Sequence, residues 1–171
     1  MIPPIETARL TLRPYRPDEG PLLHRLMADH RVIFWAKRPI TPAETEAWLE
    51  EILALPDGLG WWAVFPRDGE RHLGHVGLQP LGKSADIEIA YHFHADAWGQ
   101  GYATEAARAV LDYGFRELRL DRIVAIALPT NRRSLRVIAK LGLPETGMRL
   151  HHGIEHREFA LARASYLDRS G

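Results

Sequence analysis

The sequence contains no cysteine. That excludes disulfides, thiolate metal sites and any mechanism that parks an acyl group on an enzyme cysteine. A transferase built on this chain is therefore expected to move its group directly between two bound substrates. Charge of one sign is also missing. Lys and Arg number 22, Asp and Glu number 22, and the formal net charge is zero. No basic field favours nucleic acid, so none is expected as a partner. No apolar run approaches the ~20 residues needed to span a bilayer, so no membrane partner is expected either. The opening Met1-Ile2-Pro3-Pro4-Ile5-Glu6 has neither the basic start nor the apolar stretch of a signal peptide. The expected location is cytoplasmic. There is no internal repeat and no low-complexity tract.

What remains is an ordinary globular composition, 46% hydrophobic and 26% charged over 171 residues. That length predicts one domain over residues 1–171 with a substantial core. Leu10 and Leu12 alternate with Arg9, Thr11 and Arg13, which predicts a strand over Thr7 to Arg16. Asp18 is a candidate cap for a helix to about Asp29, with Leu22, Leu23, Leu26 and Met27 as its stripe. Thr41-Pro42-Ala43-Glu44 carries a helix-start signature, and Pro56-Asp57-Gly58 stops that helix. Gly60 to Pro66 and His72 to Leu81 read as a hairpin turned at Arg67-Asp68-Gly69-Glu70, followed by a strand over Ala85 to His94. After Trp98 to Ala106, the residues Ala103, Ala106, Ala107, Val110, Leu111, Gly114 and Leu118 share one helical face. Ile123 to Leu128 is a continuous apolar run that predicts a strand buried on both faces. Asn131 can cap a helix ending at Leu141-Gly142. Leu143 to Leu150 and Glu155 to Leu167 read as a last antiparallel pair with His151-His152-Gly153 as the turn. Uneven interleaving of strands and helices predicts a mixed sheet in an α/β layer fold.

The chain is organised around Trp98-Gly99-Gln100-Gly101-Tyr102-Ala103-Thr104-Glu105-Ala106, where a strand hands over to a helix. Two glycines clear the Cβ atoms that would hold an anion away from the backbone. The new helix offers unpaired N–H groups and the positive end of its dipole. The spacing is neither the dinucleotide fingerprint nor a Walker A loop, because the next glycine is Gly114 and no Gly-Lys-Ser/Thr follows. The competing reading of the glycines is a plain strand-to-helix turn.

Four segments in this order resemble the GNAT superfamily of acyl-CoA N-acyltransferases. They are Thr7-Ala8-Arg9-Leu10-Thr11-Leu12-Arg13, Ile87-Glu88-Ile89-Ala90-Tyr91, the glycine segment above, and Asn131-Arg132-Arg133-Ser134 with Lys140-Leu141-Gly142-Leu143. Within the superfamily they are similar to the RimJ/RimL branch of ribosomal-protein N-terminal acetyltransferases, over roughly residues 6 to 165. The resemblance implies an α/β fold whose mostly antiparallel sheet has a splayed central parallel pair, with helices on both faces. It implies acetyl-CoA as co-substrate and no metal. The diphosphate would lie on the backbone of Gly99, Gln100, Gly101, Tyr102, Ala103 and Thr104, with Trp98 beside it as a cofactor contact or a packing aromatic. The pantetheine arm would lie along Tyr91, His92 and Phe93, and Asn131 is read as a helix cap and a cofactor hydrogen-bonding residue. Arg133, near the start of that helix, is a candidate partner for an outlying phosphate, against the competing reading of a solvated surface charge.

Amine acylation needs a base for the amine and an acid for the leaving thiolate. Glu88 is the candidate base, because an apolar setting would raise its pKa toward the working range; the competing reading is a solvent-facing or ion-paired strand residue. Ser134 is the candidate acid, as the resemblance implies, against a first-turn hydroxyl that only bonds backbone. Trp35 is expected in the acceptor pocket beside Glu88, and Trp61 or Trp62 in the core. The chain departs from the family pattern at Trp98, where Gln or Arg is usual, at Ile138, where many members carry a tyrosine, and at Ala90 and Leu143. The nine histidines complete no recognised zinc spacing. The expected reaction is acetyl transfer to a protein N-terminal or small-molecule amine. The alternatives are a small-amine enzyme proper, acting on a polyamine, an amino acid or an antibiotic, and a non-catalytic acyl-CoA-binding module. The last strand pair offers an edge at which a homodimer can form.

Overall fold

The computed structural model describes residues 1–169. Eight strands hydrogen-bond in the order β1-β2-β3-β4-β5-β6-β8-β7. They are β1 (Ile5–Glu6), β2 (Leu10–Pro14), β3 (Gly60–Pro66), β4 (Gly74–Pro80), β5 (Ile87–Phe93), β6 (Arg122–Ala127), β7 (Glu145–His151) and β8 (Ile154–Ala162). The helices are α1 (Gly20–Met27), α2 (Pro42–Leu53), α3 (Tyr102–Arg116), α4 (Arg132–Leu141) and α5 (Arg163–Arg169). β5 and β6 are parallel, with Glu88 opposite Val124, while β1–β2, β2–β3, β6–β8 and β7–β8 are antiparallel. This is the mixed sheet that the sequence predicts.

The chain divides into two compact units, and β4, β5 and α3 contribute to both. The first comprises Met1–Gly77 and Tyr91–Ala106. Its core gathers Leu10, Leu12, Leu23, Leu26, Leu49, Trp61, Trp62 and Val76, all buried. Both tryptophans of β3 are core, and the Trp62 indole N–H donates to the Pro3 carbonyl at 2.7 Å. The predicted first strand, Thr7 to Arg16, is shorter, since β2 covers only Leu10–Pro14 and a separate β1 precedes it. The Thr7 hydroxyl accepts from the Leu10 N–H at 3.0 Å, and the Thr7 N–H donates to the Leu10 carbonyl at 2.9 Å. A threonine that satisfies backbone locally competes with a ladder, so residues 7–9 turn between β1 and β2. Asp18 is not the cap of α1. Glu19 holds that place without a side-chain cap bond, and Pro21 stands in the first turn, where its missing N–H costs nothing. Helix α2 begins at a complete capping box of Thr41 and Glu44, as the sequence predicts.

The second unit comprises Leu78–Ala90 and the chain from Ala107 onward. Val110, Leu111 and Phe115 of α3 are buried, as are Ile123, Val124 and Ala125 of β6. Leu118, expected on the helical face, lies past the end of α3. The Asn131 side chain accepts from the Ser134 N–H at 3.2 Å, and Gly142 closes α4 in the left-handed conformation at φ 77°. The predicted last strand is too long. It stops at Ala162, and α5 follows. Arg163 donates to the Asp121 and Phe115 carbonyls, each at 2.9 Å, and Tyr166 stacks on Phe115. Those tertiary contacts turn the chain where alternation alone would have continued it.

Candidate active site

In the first unit, β5 runs through a short turn at Ala95–Ala97 into the glycine segment and α3. Gly99 and Gly101 have φ of +75° and +81°, a region that side chains with a Cβ rarely occupy. A Cβ placed on Gly99 would meet nothing within 4 Å, so the space in front of this backbone is open. The first N–H groups of α3 have no acceptor within the helix. Backbone donors, open space and the positive end of a dipole fit a diphosphate.

The segment is held from behind by residues that the glycine pattern does not reveal. The Glu105 carboxylate accepts from the Thr7 hydroxyl at 2.6 Å, the Arg9 N–H at 2.9 Å and the Arg9 guanidinium at 2.7 Å. Arg9 also donates to the Gln100 carbonyl at 2.9 Å and lies over the Tyr102 ring. Burial works to raise the Glu105 pKa, but the bonds from Thr7 and Arg9 outweigh it and hold the carboxyl below its usual range. Its negative charge is thus committed to Thr7 and Arg9. The indole N–H of Trp98 donates to the Phe93 carbonyl at 2.9 Å, so this departure from the family pattern ties the turn back to β5. Tyr91 and His92 are half-buried and Phe93 is buried.

Trp35, expected in the acceptor pocket, is 42% exposed. It packs edge-on against Phe34 at 5.1 Å and tilts over the His92 ring at 5.8 Å. The glutamates near it in sequence, Glu44, Glu46, Glu50 and Glu51, are exposed on α2. Glu44 serves the capping box and pairs with Arg38.

Glu88 and Ser134 belong to the second unit. Glu88 is buried, with 7% of its surface accessible, which removes the solvent-facing reading. Burial pushes its pKa up to about 7, against a 3.4 Å hydrogen bond from the Gln79 amide and the charge of Arg149. Arg149 does little to reverse that, because it pairs with Asp86 at 2.6 Å and with Glu158. Ser134 sits half-buried in the first turn of α4, Arg133 is exposed beside it, and Asn131 caps the helix. Ile138, where many family members have a tyrosine, is buried apolar core.

Among known families, the model of the acetyltransferase (GNAT) domain matches residues 9–144. The Bacillus subtilis protein YkkB is 35% identical over 131 residues, covering 74% of this chain and 76% of that protein. The B. subtilis N-acetyltransferase YnaD is 29% identical over 144 residues and 84% of each chain. The crystal structure of an acetyltransferase from Agrobacterium tumefaciens superposes with a TM-score of 0.82 at 26% identity, covering 94% of this chain and 95% of the other. The anion-fitting turn, the sheet with its parallel central pair and the matched domain agree: this chain is an enzyme of the GNAT acetyltransferase family.

Proposed function

We propose that the protein transfers an acetyl group from acetyl-CoA directly to a primary amine, with both substrates bound together. The motif likeness to the RimJ/RimL branch favours a protein N-terminal α-amine, with a small amine as the other acceptor class. One observation carries the chemistry, namely the buried Glu88 with its pKa near 7. A carboxylate poised at that pH can take an ammonium proton at neutrality, which an ordinary surface glutamate does poorly. The backbone of Gly99 to Thr104 holds the diphosphate, and each N–H to phosphate bond contributes about 1.5–3 kcal/mol. Tyr91, His92 and Phe93 line the pantetheine arm, with Trp98 bracing the turn and Asn131 and Arg133 as further cofactor contacts. Ser134 returns a proton to the CoA sulfur. Trp35 walls the acceptor pocket.

The test is a melting curve with acetyl-CoA, dephospho-CoA and ATP, followed by an acetylation screen. The screen includes peptides with free Ala or Ser N-termini, polyamines and amino acids. Ligand at ~100 times its dissociation constant should add about 2.7 kcal/mol of stability. A shift specific to acetyl-CoA with turnover of one acceptor class supports the reading. A shift with no turnover of any amine would make the protein a binding module that has kept the fold. No shift at millimolar ligand would remove the diphosphate cradle.

A further inference from the structure

Five titratable side chains of the first unit form one continuous hydrogen-bonded chain that the proposed reaction has not used. His94 Nε2 lies 3.2 Å from His72 Nδ1. His72 Nε2 lies 3.2 Å from the Tyr15 hydroxyl, which lies 3.1 Å from His75 Nδ1. His75 Nε2 lies 2.8 Å from His92 Nδ1. The middle is sealed, since Tyr15, His72 and His75 are buried, with His75 at 0% exposure. The two ends, His92 and His94, are half-buried.

The atoms in these contacts follow one order. Every link joins an Nε2 to an Nδ1, directly or through the phenol. A neutral imidazole has one N–H and one lone pair, and a phenol both donates and accepts. The chain therefore has two fully bonded states. In one, every histidine carries its proton on Nδ1, and in the other on Nε2. A proton accepted at His92 Nε2 converts the first state into the second. His92 passes its Nδ1 proton to His75 Nε2, and His75 passes its own to the Tyr15 oxygen. Tyr15 passes its proton to His72 Nε2, His72 passes one to His94 Nε2, and His94 releases its Nδ1 proton. One proton enters and one leaves, and no residue keeps a charge. The reverse passage restores the first state.

We propose that Tyr15, His72, His75, His92 and His94 are a proton relay that carries the proton of amine acetylation from the acceptor side at His92 to solvent at His94. The proposal rests on the acetyl-transfer reading above. An ammonium acceptor loses two protons on becoming an amide, and the CoA thiolate recovers one. Glu88 takes the first ammonium proton, and that proton returns to the CoA thiolate through Ser134. The second leaves the nitrogen as the amide forms, and this one proton per turnover enters the relay at His92 and needs a way out. The His92 end lies under Trp35, the proposed wall of the acceptor pocket, and stacks on Trp61 at 6.0 Å. The His94 end lies among the charged side chains of Asp96, Arg25, Asp29 and Arg71. Glu19 and Arg13 face Tyr15, Arg25 and Glu19 face His72, and the other histidines face His75. Burial holds His72 down to about 3 and His92 to about 4, and keeps His75 well below its usual value, so the rings rest neutral. A neutral relay can accept a proton and pass it on, whereas a charged one is blocked.

Two measurements on the full chain test this. The first needs no turnover. Nitrogen-15 spectra of the histidine rings report tautomer fractions, and a coupled chain requires the same Nε2–H fraction at His72, His75, His92 and His94. Tyr15→Phe removes the central link and should let the fractions of the His72–His94 and His75–His92 pairs diverge. Unequal fractions in the parent, or a charged ring at His72, His75 or His92 at pH 7, overturn the relay. The second measurement is kinetic. Tyr15→Phe should lower kcat by about tenfold or more, with the acetyl-CoA-induced melting shift intact. Added imidazole should restore the rate in the variant and not change it in the parent. His94→Gln, at the half-exposed end, should show the same rescue without disturbing the buried rings. Parental kcat with no response to imidazole in both variants overturns the proposal. If the parent turns over no amine, the acetyl-transfer reading fails, and with it the assigned cargo, while the tautomer fractions still decide whether the chain is coupled.

Discussion

At the scale of single residues, Glu88 shows how a strand position acquires the pKa that the proposed base needs. Its backbone lies in β5 opposite Val124, a place where a carboxylate meets little water. The free energy that desolvation costs the ionised form appears as a pKa near 7. The base works when deprotonated, so kcat/KM should rise with pH through about 7 and level off above it. Glu88→Gln keeps the shape and the Gln79 contact but removes the proton acceptor. We expect kcat to fall by about 10²–10⁴-fold, the limb near pH 7 to disappear, and the acetyl-CoA melting shift to persist. A variant that keeps the parental rate and pH profile would transfer the role of base elsewhere. Gly99 separates backbone strain from binding in a similar way. A methyl there meets no protein atom but demands φ of +75° from an alanine. Gly99→Ala should cost about 1–2 kcal/mol of stability, and it should weaken acetyl-CoA more than that, because the methyl projects into the space proposed for the diphosphate. Isothermal titration alongside the melting curve distinguishes the two effects.

At the scale of elements, helix α4 depends on the side chain that starts it. Asn131 accepts from the Ser134 N–H, so Asn131→Ala should cost about 1 kcal/mol and lower the melting temperature by about 2–4 °C. If Asn131 also contacts the cofactor, the loss will be larger with acetyl-CoA present than without. That cap was legible in the sequence, as were the capping box of α2, the Gly142 stop and the strand over Gly60 to Pro66. Each is written in local chemistry, in residues adjacent along the chain. The turn that separates β1 from β2, the start of α1 and the presence of α5 were not legible. They are decided by Thr7 bonding its own turn, by Pro21, and by Arg163 and Tyr166 reaching Asp121 and Phe115. The site divides along the same line. The glycine segment is a contiguous motif and can be read directly. The Thr7–Arg9–Glu105 tie joins residues nearly a hundred positions apart, and no spacing rule announces it. His92 and His94 could be placed on one strand face by period 2, but their partners Tyr15, His72 and His75 come from other segments.

At the scale of the whole molecule, the buried titratable groups set how stability follows pH, and their signs oppose. His72, His75 and His92 have folded pKa values below the ordinary histidine value of 6.5. Their contribution is present above pH 6.5 and is lost as pH falls toward the folded values, because the unfolded chain takes up protons that the folded chain refuses. Glu88 is the reverse. Its folded pKa near 7 exceeds the ordinary 4.5, so its contribution is full below 4.5 and is lost as pH rises through 7. Near pH 5 the three histidines bind protons on unfolding while Glu88 gives up most of one. A net uptake of about two protons corresponds to roughly 3 kcal/mol per pH unit. The protein should therefore lose stability steeply between pH 6 and 4 and hold it nearly level above pH 7, where the proton that Glu88 gives up on unfolding is matched by the residual uptake of the three histidines. Urea midpoints measured from pH 4 to 9 give that slope directly. Glu88→Gln should be steeper in acid than the parent, because it lacks the opposing group, and more stable than the parent above pH 7. An acid limb with no net proton uptake would mean that the histidines are already charged in the folded protein. The neutral hydrogen-bonded chain from His94 to His92 would then not exist.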